Sequence, residues 1–251
     1  MSESTRVTAA VLIIGNEILS GRTQDTNLAH LAKTLNGYGI QLREARVVPD
    51  VEAEIVAAVN ALRARWDYLF TTGGIGPTHD DITADCVAKA FGVELEINEQ
   101  IAELLRRRPS PPEVMASRMR MARVPRGAGL IDNPLGPPGF RIGNVYVMAG
   151  IPRIMQQMLA SLDGKLARGV VVRSRSVTAF VSEGQIARGL GEVQDRFARV
   201  DIGSYPFQRQ ERFGTTLVMR GSDEAELDAA LAEVVALIHS LGAQPQDIQQ
   251  G

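Results

Sequence analysis

The apolar positions of this chain alternate between short continuous runs and longer stretches in which they recur every three or four residues. The first run, residues 8–14, is rich in valine and isoleucine and is closed by Gly15. That is the pattern of a strand buried on both faces of a parallel sheet. Leu28, Leu31, Ala32 and Leu35 then share one helical face, with Asp25 placed to cap the start and Gly37 and Gly39 to close the end. A strand over 41–48, a helix over 51–65, a strand over 68–72 and a helix over 83–91 continue the alternation. Strands and helices in turn, with short connections, predict a parallel sheet covered by helices.

The middle is less regular. Residues 98–108 read as a helix broken by Pro109-Ser110-Pro111-Pro112, a second helix covers 113–123, and 127–143 is a glycine- and proline-rich stretch. A buried strand over 145–148 and a helix over 152–162 follow. Beyond about residue 165 the order changes to strand 170–180, helix 183–197, strands 200–205 and 215–220, and helix 223–241. In the last helix Leu227, Leu231, Val234, Val235 and Ile238 share a face, and Ser222 offers a cap. The glutamine-rich end, 243–251, reads as frayed. The expected organisation is a three-layer α/β/α domain with a mostly parallel sheet over 1–165, and a small α+β domain of order β-α-β-β-α over 166–251.

Composition adds bounds. The chain has 251 residues, 45% hydrophobic and 22% charged, enough to bury a core without disulfide or metal staples. Its net charge of −2 removes the simplest argument for a nucleic-acid protein. The single cysteine, Cys86, excludes an internal disulfide or a multi-cysteine zinc site. With no apolar run of membrane-spanning length and no signal-peptide pattern, a cytoplasmic protein without a membrane partner is expected.

Ligands of open α/β sheets bind beyond the carboxyl ends of strands. Three loops hold that position here: 15–27, 71–83 and 148–152. In Thr71-Thr72-Gly73-Gly74-Ile75-Gly76-Pro77-Thr78-His79-Asp80-Asp81, three glycines after a strand allow amide groups to surround an anion, and Thr71, Thr72 and Thr78 add hydroxyls. Asp80 and Asp81 beside such a loop suit a divalent ion, Mg²⁺, Mn²⁺ or Co²⁺, bridging to a phosphate. The plainer alternative is one helix-capping aspartate and a tight turn. In the first loop Glu17 and Asp25 could be ligands or bases, while Ser20 and Asn27 could bind hydroxyls of a sugar or pterin; Asp25 serves equally well as a helix cap. Between residues 106 and 126 seven arginines stand against one acid, Glu113. No aromatic residue interleaves them, which argues against nucleic acid and leaves anionic-substrate recruitment and a solvated face evenly balanced. His79 lacks a second histidine for zinc, and Cys86 lacks a paired base.

The run Gly15-Asn16-Glu17-x-Leu19-x-Gly21-x-x-x-Asp25-Thr26-Asn27, with Thr72-Gly73-Gly74-x-Gly76-Pro77-Thr78-x-Asp80-Asp81, Asn133-Pro134-Leu135-Gly136 and Pro138-Gly139-Phe140, resembles the molybdopterin-binding domain family of MoaB/Mog-like fold, in its CinA-like branch. Glu183-Gly184-x-Ile186-Ala187 and Ile202-Gly203-Ser204-Tyr205-Pro206 are similar to the segment that follows this domain in CinA-like proteins. The resemblance implies a metal-dependent ADP-ribose pyrophosphatase acting on a small phosphate-containing ligand. Its alternatives are a non-catalytic molybdopterin- or nucleotide-binding module and a molybdopterin adenylyltransferase. It implies Asp80 and Asp81 as metal ligands, with Glu17 joining them in catalysis. Thr72, Gly73, Gly74, Gly76, Thr78, Asn16, Ser20, Asp25, Asn27 and Gly150 would then bind ligand, and the protein would be a homo-oligomer. At 251 residues no room is expected for the deamidase domain that CinA proteins commonly add. The third loop departs from the family: its usual Pro-Gly-x-Pro-x-Glu-Met reads Ala149-Gly150-Ile151-Pro152-Arg153-Ile154-Met155.

Overall fold

The computed structural model describes residues 6–209 and 211–250. They divide into two compact units, the first ending at Gly169 and the second beginning at Val170. No helix among the described residues is long and apolar enough to cross a membrane.

The first unit runs β1 (Val7–Ile14), α1 (Asn16–Leu19), α2 (Asn27–Gly37), β2 (Ile40–Val48), α3 (Glu52–Arg65), β3 (Tyr68–Thr72) and α4 (Thr83–Phe91). It continues with β4 (Leu95–Ile97), α5 (Glu99–Arg106), α6 (Pro112–Met119), β5 (Arg123–Pro125), β6 (Gly129–Ile131), β7 (Gly139–Ile142), β8 (Val145–Met148) and α7 (Pro152–Ala160). Six strands form one sheet in the order β2-β1-β3-β8-β7-β6, and β4 pairs separately with β5. The neighbours β2, β1, β3 and β8 are parallel, while β8-β7 and β7-β6 are antiparallel. The fold is therefore the expected α/β type with a mostly parallel sheet.

Alternation along β1 shows why its sequence is apolar from Ala9 onward. Ala10, Leu12 and Ile14 enter a core packed with Ile55, Val59 and Leu62 of α3, Cys86 and Val87 of α4, and Ile101 and Leu105 of α5. Ala9, Val11 and Ile13 enter a second core with Leu31 and Leu35 of α2 and Met155, Met158 and Leu159 of α7. Both faces are dry over that stretch, so none of its positions can be polar without losing its water. The stretch 127–143, expected to be irregular, contains β6 and β7. Three or four residues per strand are too few for a period-2 pattern to stand out among glycines and prolines.

The second unit is β9 (Arg173–Ala179), α8 (Glu183–Arg196), β10 (Asp201–Arg209), β11 (Arg212–Gly221), α9 (Glu224–Ser240) and β12 (Pro245–Gln250), in sheet order β10-β11-β9-β12. Two expectations need correction here. The end of the chain is not frayed over 245–250: β12 pairs antiparallel with β9, completing the split β-α-β arrangement of ferredoxin-like order. Its Gln-rich sequence carries no apolar alternation, so backbone pairing alone places it; residue 251 lies outside the described residues. The cap of α9 is Asp223 rather than Ser222, since its Oδ1 accepts from the Ala225 and Glu226 amides at 3.0 and 3.1 Å.

Arg175 of β9 is buried against α9, and its Nε donates to Asp228 at 2.8 Å. A guanidinium so placed must keep its partners, of which Asp228 is the nearer and Glu224, at 3.6 Å, the other. Asp228→Ala is expected to lower stability by about 1.5–3 kcal/mol. Arg175→Met, which removes the charge while keeping most of the volume, is expected to cost less. Urea denaturation of the two variants measures the order.

Candidate functional site

The loops after β1, β3 and β8 meet at the carboxyl edge of the sheet. Gly73 has φ +104°, and a Cβ there would lie 2.1 Å from the Ile14 carbonyl oxygen. A Cβ on Gly150 would lie 3.3 Å from the Gly73 Cα, so the second and third loops pass backbone against backbone. The Gly73 N–H donates to the Met148 carbonyl, and the Thr83 hydroxyl donates to the Gly73 carbonyl at 2.9 Å. Asn27 Nδ2 donates to the Gly150 carbonyl at 2.7 Å, tying α2 to the third loop.

Around this junction lies a cavity of about 510 Å³. Its polar lining includes Glu17, Thr23, Asp81, Arg120, Arg123 and Asn133, and Gly73, Gly74, Gly76 and Gly150 bring backbone to its wall. Ile75, Met121, Phe140, Ile151, Ile154 and Met158 make the rest largely apolar. A lobe of about 60 Å³ adjoins it, bounded by Asp25, Thr26, Asn27, Thr72 and Gly73 and sharing Glu17 and Gly150. Asn27 Oδ1 and Thr72 Oγ1 are buried there without a partner. Buried polar atoms are ordinarily satisfied, so this pair marks a place for a ligand hydroxyl, amine or water.

The residues expected from the sequence separate into three groups. Glu17, Gly73, Gly74, Gly76, Asp81 and Gly150 line the main cavity, and Asp25, Asn27 and Thr72 line the lobe. Asp25 also caps α2, its Oδ1 accepting from the Leu28 amide at 2.9 Å, so the two readings of this residue coexist. Asn16, Ser20, Thr78 and Asp80 line neither space. The Asn16 amide is held by Asp50 at 2.8 Å, and the exposed Ser20 hydroxyl turns back to the Glu17 carbonyl. Gly73 lends its shape to the site but no free amide. The amides of Gly74, Ile75 and Gly76 have no acceptor among the described residues and remain open to an anion.

Thr78 organises the acidic pair. Its amide donates to Asp81 Oδ2 at 2.8 Å, and its hydroxyl lies within hydrogen-bond distance of both Asp80 and Asp81. That hydroxyl bond and the loop's own N–H hold the Asp80 carboxyl below the ordinary carboxylate range. A Cβ on Gly76 would lie 2.6 Å from Asp81 Oδ2, so this glycine gives the carboxylate its room. Among the described residues no group of three acidic, histidine or cysteine side chains converges as a ready metal cage. Two carboxylates around one hydroxyl nonetheless fit a hard cation whose shell is completed by water and substrate oxygens, the usual arrangement for Mg²⁺.

Sequence reasoning left Arg120 and Arg123 undecided within the arginine segment. They reach the cavity because α6 ends in a 3-10 turn, Arg120–Ala122, that leads into β5. Phe140 and Asn133 were legible only as parts of the family pattern. Ile154, at the position where the resemblance expects glutamate, packs with the α2/α7 core and lines the cavity as an apolar wall. Cys86 is buried, and desolvation reinforced by the Glu52 and Asp85 charges pushes its thiol up to about 12.

A glycine-loop cavity at the carboxyl edge of a parallel sheet defines a ligand-binding α/β protein. The profile of the probable molybdopterin binding domain matches residues 10–166, and the chain belongs to that family. The profile of the FAD synthase middle domain matches residues 171–247. The chain is 34% identical over 252 residues to a protein of Pyrobaculum calidifontis, covering 93% of this chain and 96% of that one. It is 41% identical over 157 residues to a CinA-like protein of Citrifermentans bemidjiense, covering 60% of this chain but 38% of the relative. Over 259 residues it is 29% identical to a probable FAD synthase of Caenorhabditis briggsae, covering 91% of this chain and 49% of that protein. Thus the chain spans less than half the length of each of these two named relatives. The crystal structure of CinA from Thermoplasma acidophilum superposes with a TM-score of 0.60 at 32% identity, over 64% of this chain and 99% of that one.

Two outcomes test the geometry. Gly73→Ala combines a left-handed φ with a backbone clash and is expected to destabilise by more than about 2 kcal/mol in urea titration. Cys86 is expected to resist a thiol reagent at pH 8 in the native protein and to react once the chain is unfolded in urea.

Proposed function

We propose that the first unit is a metal-dependent pyrophosphatase acting on ADP-ribose or a similar nucleoside-diphosphate-linked compound. The observation that carries this reading is the cavity itself: a large apolar wall for a flat ring, open amides after Gly73, and a carboxylate at its edge. Ring, phosphate and cation would each meet the surface that suits it. The lobe holding Asn27 and Thr72 supplies hydrogen-bonding atoms for a sugar hydroxyl.

Asp80 and Asp81 would hold the divalent ion, which when bound supplies charge stabilisation to the pyrophosphate oxygens. The amides of Gly74, Ile75 and Gly76 orient one phosphate and offset charge as it develops. Glu17 lines the cavity from α1 and would take a proton from water. Water then adds to one phosphorus, the bridging P–O bond breaks, and two phosphomonoesters leave. The apolar wall of Met121, Phe140, Ile151 and Ile154 limits competing water. FAD carries the same adenosine diphosphate linkage, and a probable FAD synthase is among the relatives, so FAD belongs among the test substrates.

Ile154 favours a second reading, a molybdopterin- or nucleotide-binding module without turnover, because an apolar side chain replaces the glutamate usual at that position. Incubation with ADP-ribose or FAD and Mg²⁺, Mn²⁺ or Co²⁺ separates the two. AMP release that falls by about 10²-fold or more in Asp81→Asn is the expected result. Tight ligand binding with no AMP from either substrate, under any of the three metals, would establish the binding module instead. Adenylyl transfer from ATP to molybdopterin would point to an adenylyltransferase.

A further inference from the structure

The arginines between residues 106 and 126 do not all meet the same surroundings. Arg106 pairs with Glu99 and Arg126 with Glu94 on the surface. Arg118 donates to the Arg108 and Leu105 carbonyls. Arg123 lines the cavity, but its guanidinium is held by Asp85 at 2.7 Å. Arg120 differs from all of these. It lines the cavity beside Asp81, yet its one hydrogen bond is a long contact of 3.4 Å from Nη2 to the Asp81 backbone carbonyl. No carboxylate pairs with it among the described residues, whereas Arg123 has Asp85; the Nε of each is buried without an acceptor.

A cation set into a largely apolar wall, with a buried donor unmatched, is complementary to an anion that the protein does not itself provide. The planar fork of guanidinium donors matches two oxygens of one phosphate. The position is also telling. Arg120 donates to the backbone carbonyl of Asp81, and both residues line the cavity, so the guanidinium and the Asp81 carboxylate border the same space.

We infer that Arg120 is the anion-binding residue of this cavity and grips the diphosphate of the ligand, with Arg123, fixed by Asp85, adding positive charge beside it. The inference deepens the proposed function and rests on its substrate class. It assigns recognition of the diphosphate to the guanidinium, while the apolar wall accepts the ring. Arg106, Arg118 and Arg126 have protein partners, and none of the segment's other arginines lines the cavity.

The test uses inorganic pyrophosphate, without added metal, titrated calorimetrically into the full chain at low and moderate salt. Wild type is expected to bind, and Arg120→Gln to bind at least about tenfold more weakly at an unchanged melting temperature. Arg106→Gln, which removes a charge of the same segment outside the cavity, is expected to leave the affinity as it was. Arg120→Lys keeps the charge but loses the fork, and an intermediate loss is expected. If the glutamine variant melts early, the lysine variant carries the test, and wild-type affinity in it overturns the inference. Equal binding by wild type and a well-folded Arg120→Gln also overturns it, as does absence of wild-type binding at millimolar pyrophosphate. Pyrophosphate binding that depends on Arg120, combined with no cleavage of ADP-ribose or FAD, would retain the anion site and remove only the hydrolase reading.

Discussion

The site of the first unit depends on the close passage of backbone against backbone at Gly73. The chain leaves β3 there with a left-handed torsion, its Cα position pressed against the Ile14 carbonyl on one side and Gly150 on the other. No side chain can occupy that space, and the absence of one lets three loops from three parallel strands converge. Everything that follows, from the open amides of Gly74 to Gly76 to the placement of Asp81, is set by that convergence. The two cores flanking the sheet hold the strands rigid enough to keep it.

Charge is distributed around this junction in a way the net value conceals. Asp80 and Asp81 gather about the Thr78 hydroxyl, and of the two Asp81 lines the cavity that the Arg120 guanidinium faces from the end of α6. Between and around them the surface is largely hydrocarbon. In such surroundings opposite charges interact more strongly than in water, and they reward a ligand able to satisfy both. Ile154 presents hydrocarbon where the resemblance expects an acid, and the acidic lining of the main cavity is left to Asp81 and Glu17.

The second unit teaches a complementary lesson. Its helices and inner strands were legible because Val177, Leu217, Leu227, Val234 and Ile238 keep the apolar spacing of a common core. Its last strand was not. Residues 245–250 are mostly polar and exposed, and only the hydrogen-bonding edge of β9 makes them a strand. The short strands β6 and β7 escaped for a related reason, since each gains its conformation from a neighbour rather than from its own pattern.

By itself the sequence determined the alternating α/β order, the strands buried on both faces, and the identity of the three ligand loops. Continuous apolar runs, glycine clusters and capping residues are local signals with local causes. Only the tertiary structure decided which members of those loops face the same space. It turned Gly73 from an amide donor into a spacer, and it left Asn16 and Ser20 outside the cavity. It also made Asp25 both cap and lobe wall, and selected Arg120 and Arg123 from a run of seven arginines. Those outcomes depend on the paths of strands distant in sequence. The same arginine is a solvated surface group or a cavity cation according to what the fold sets beside it.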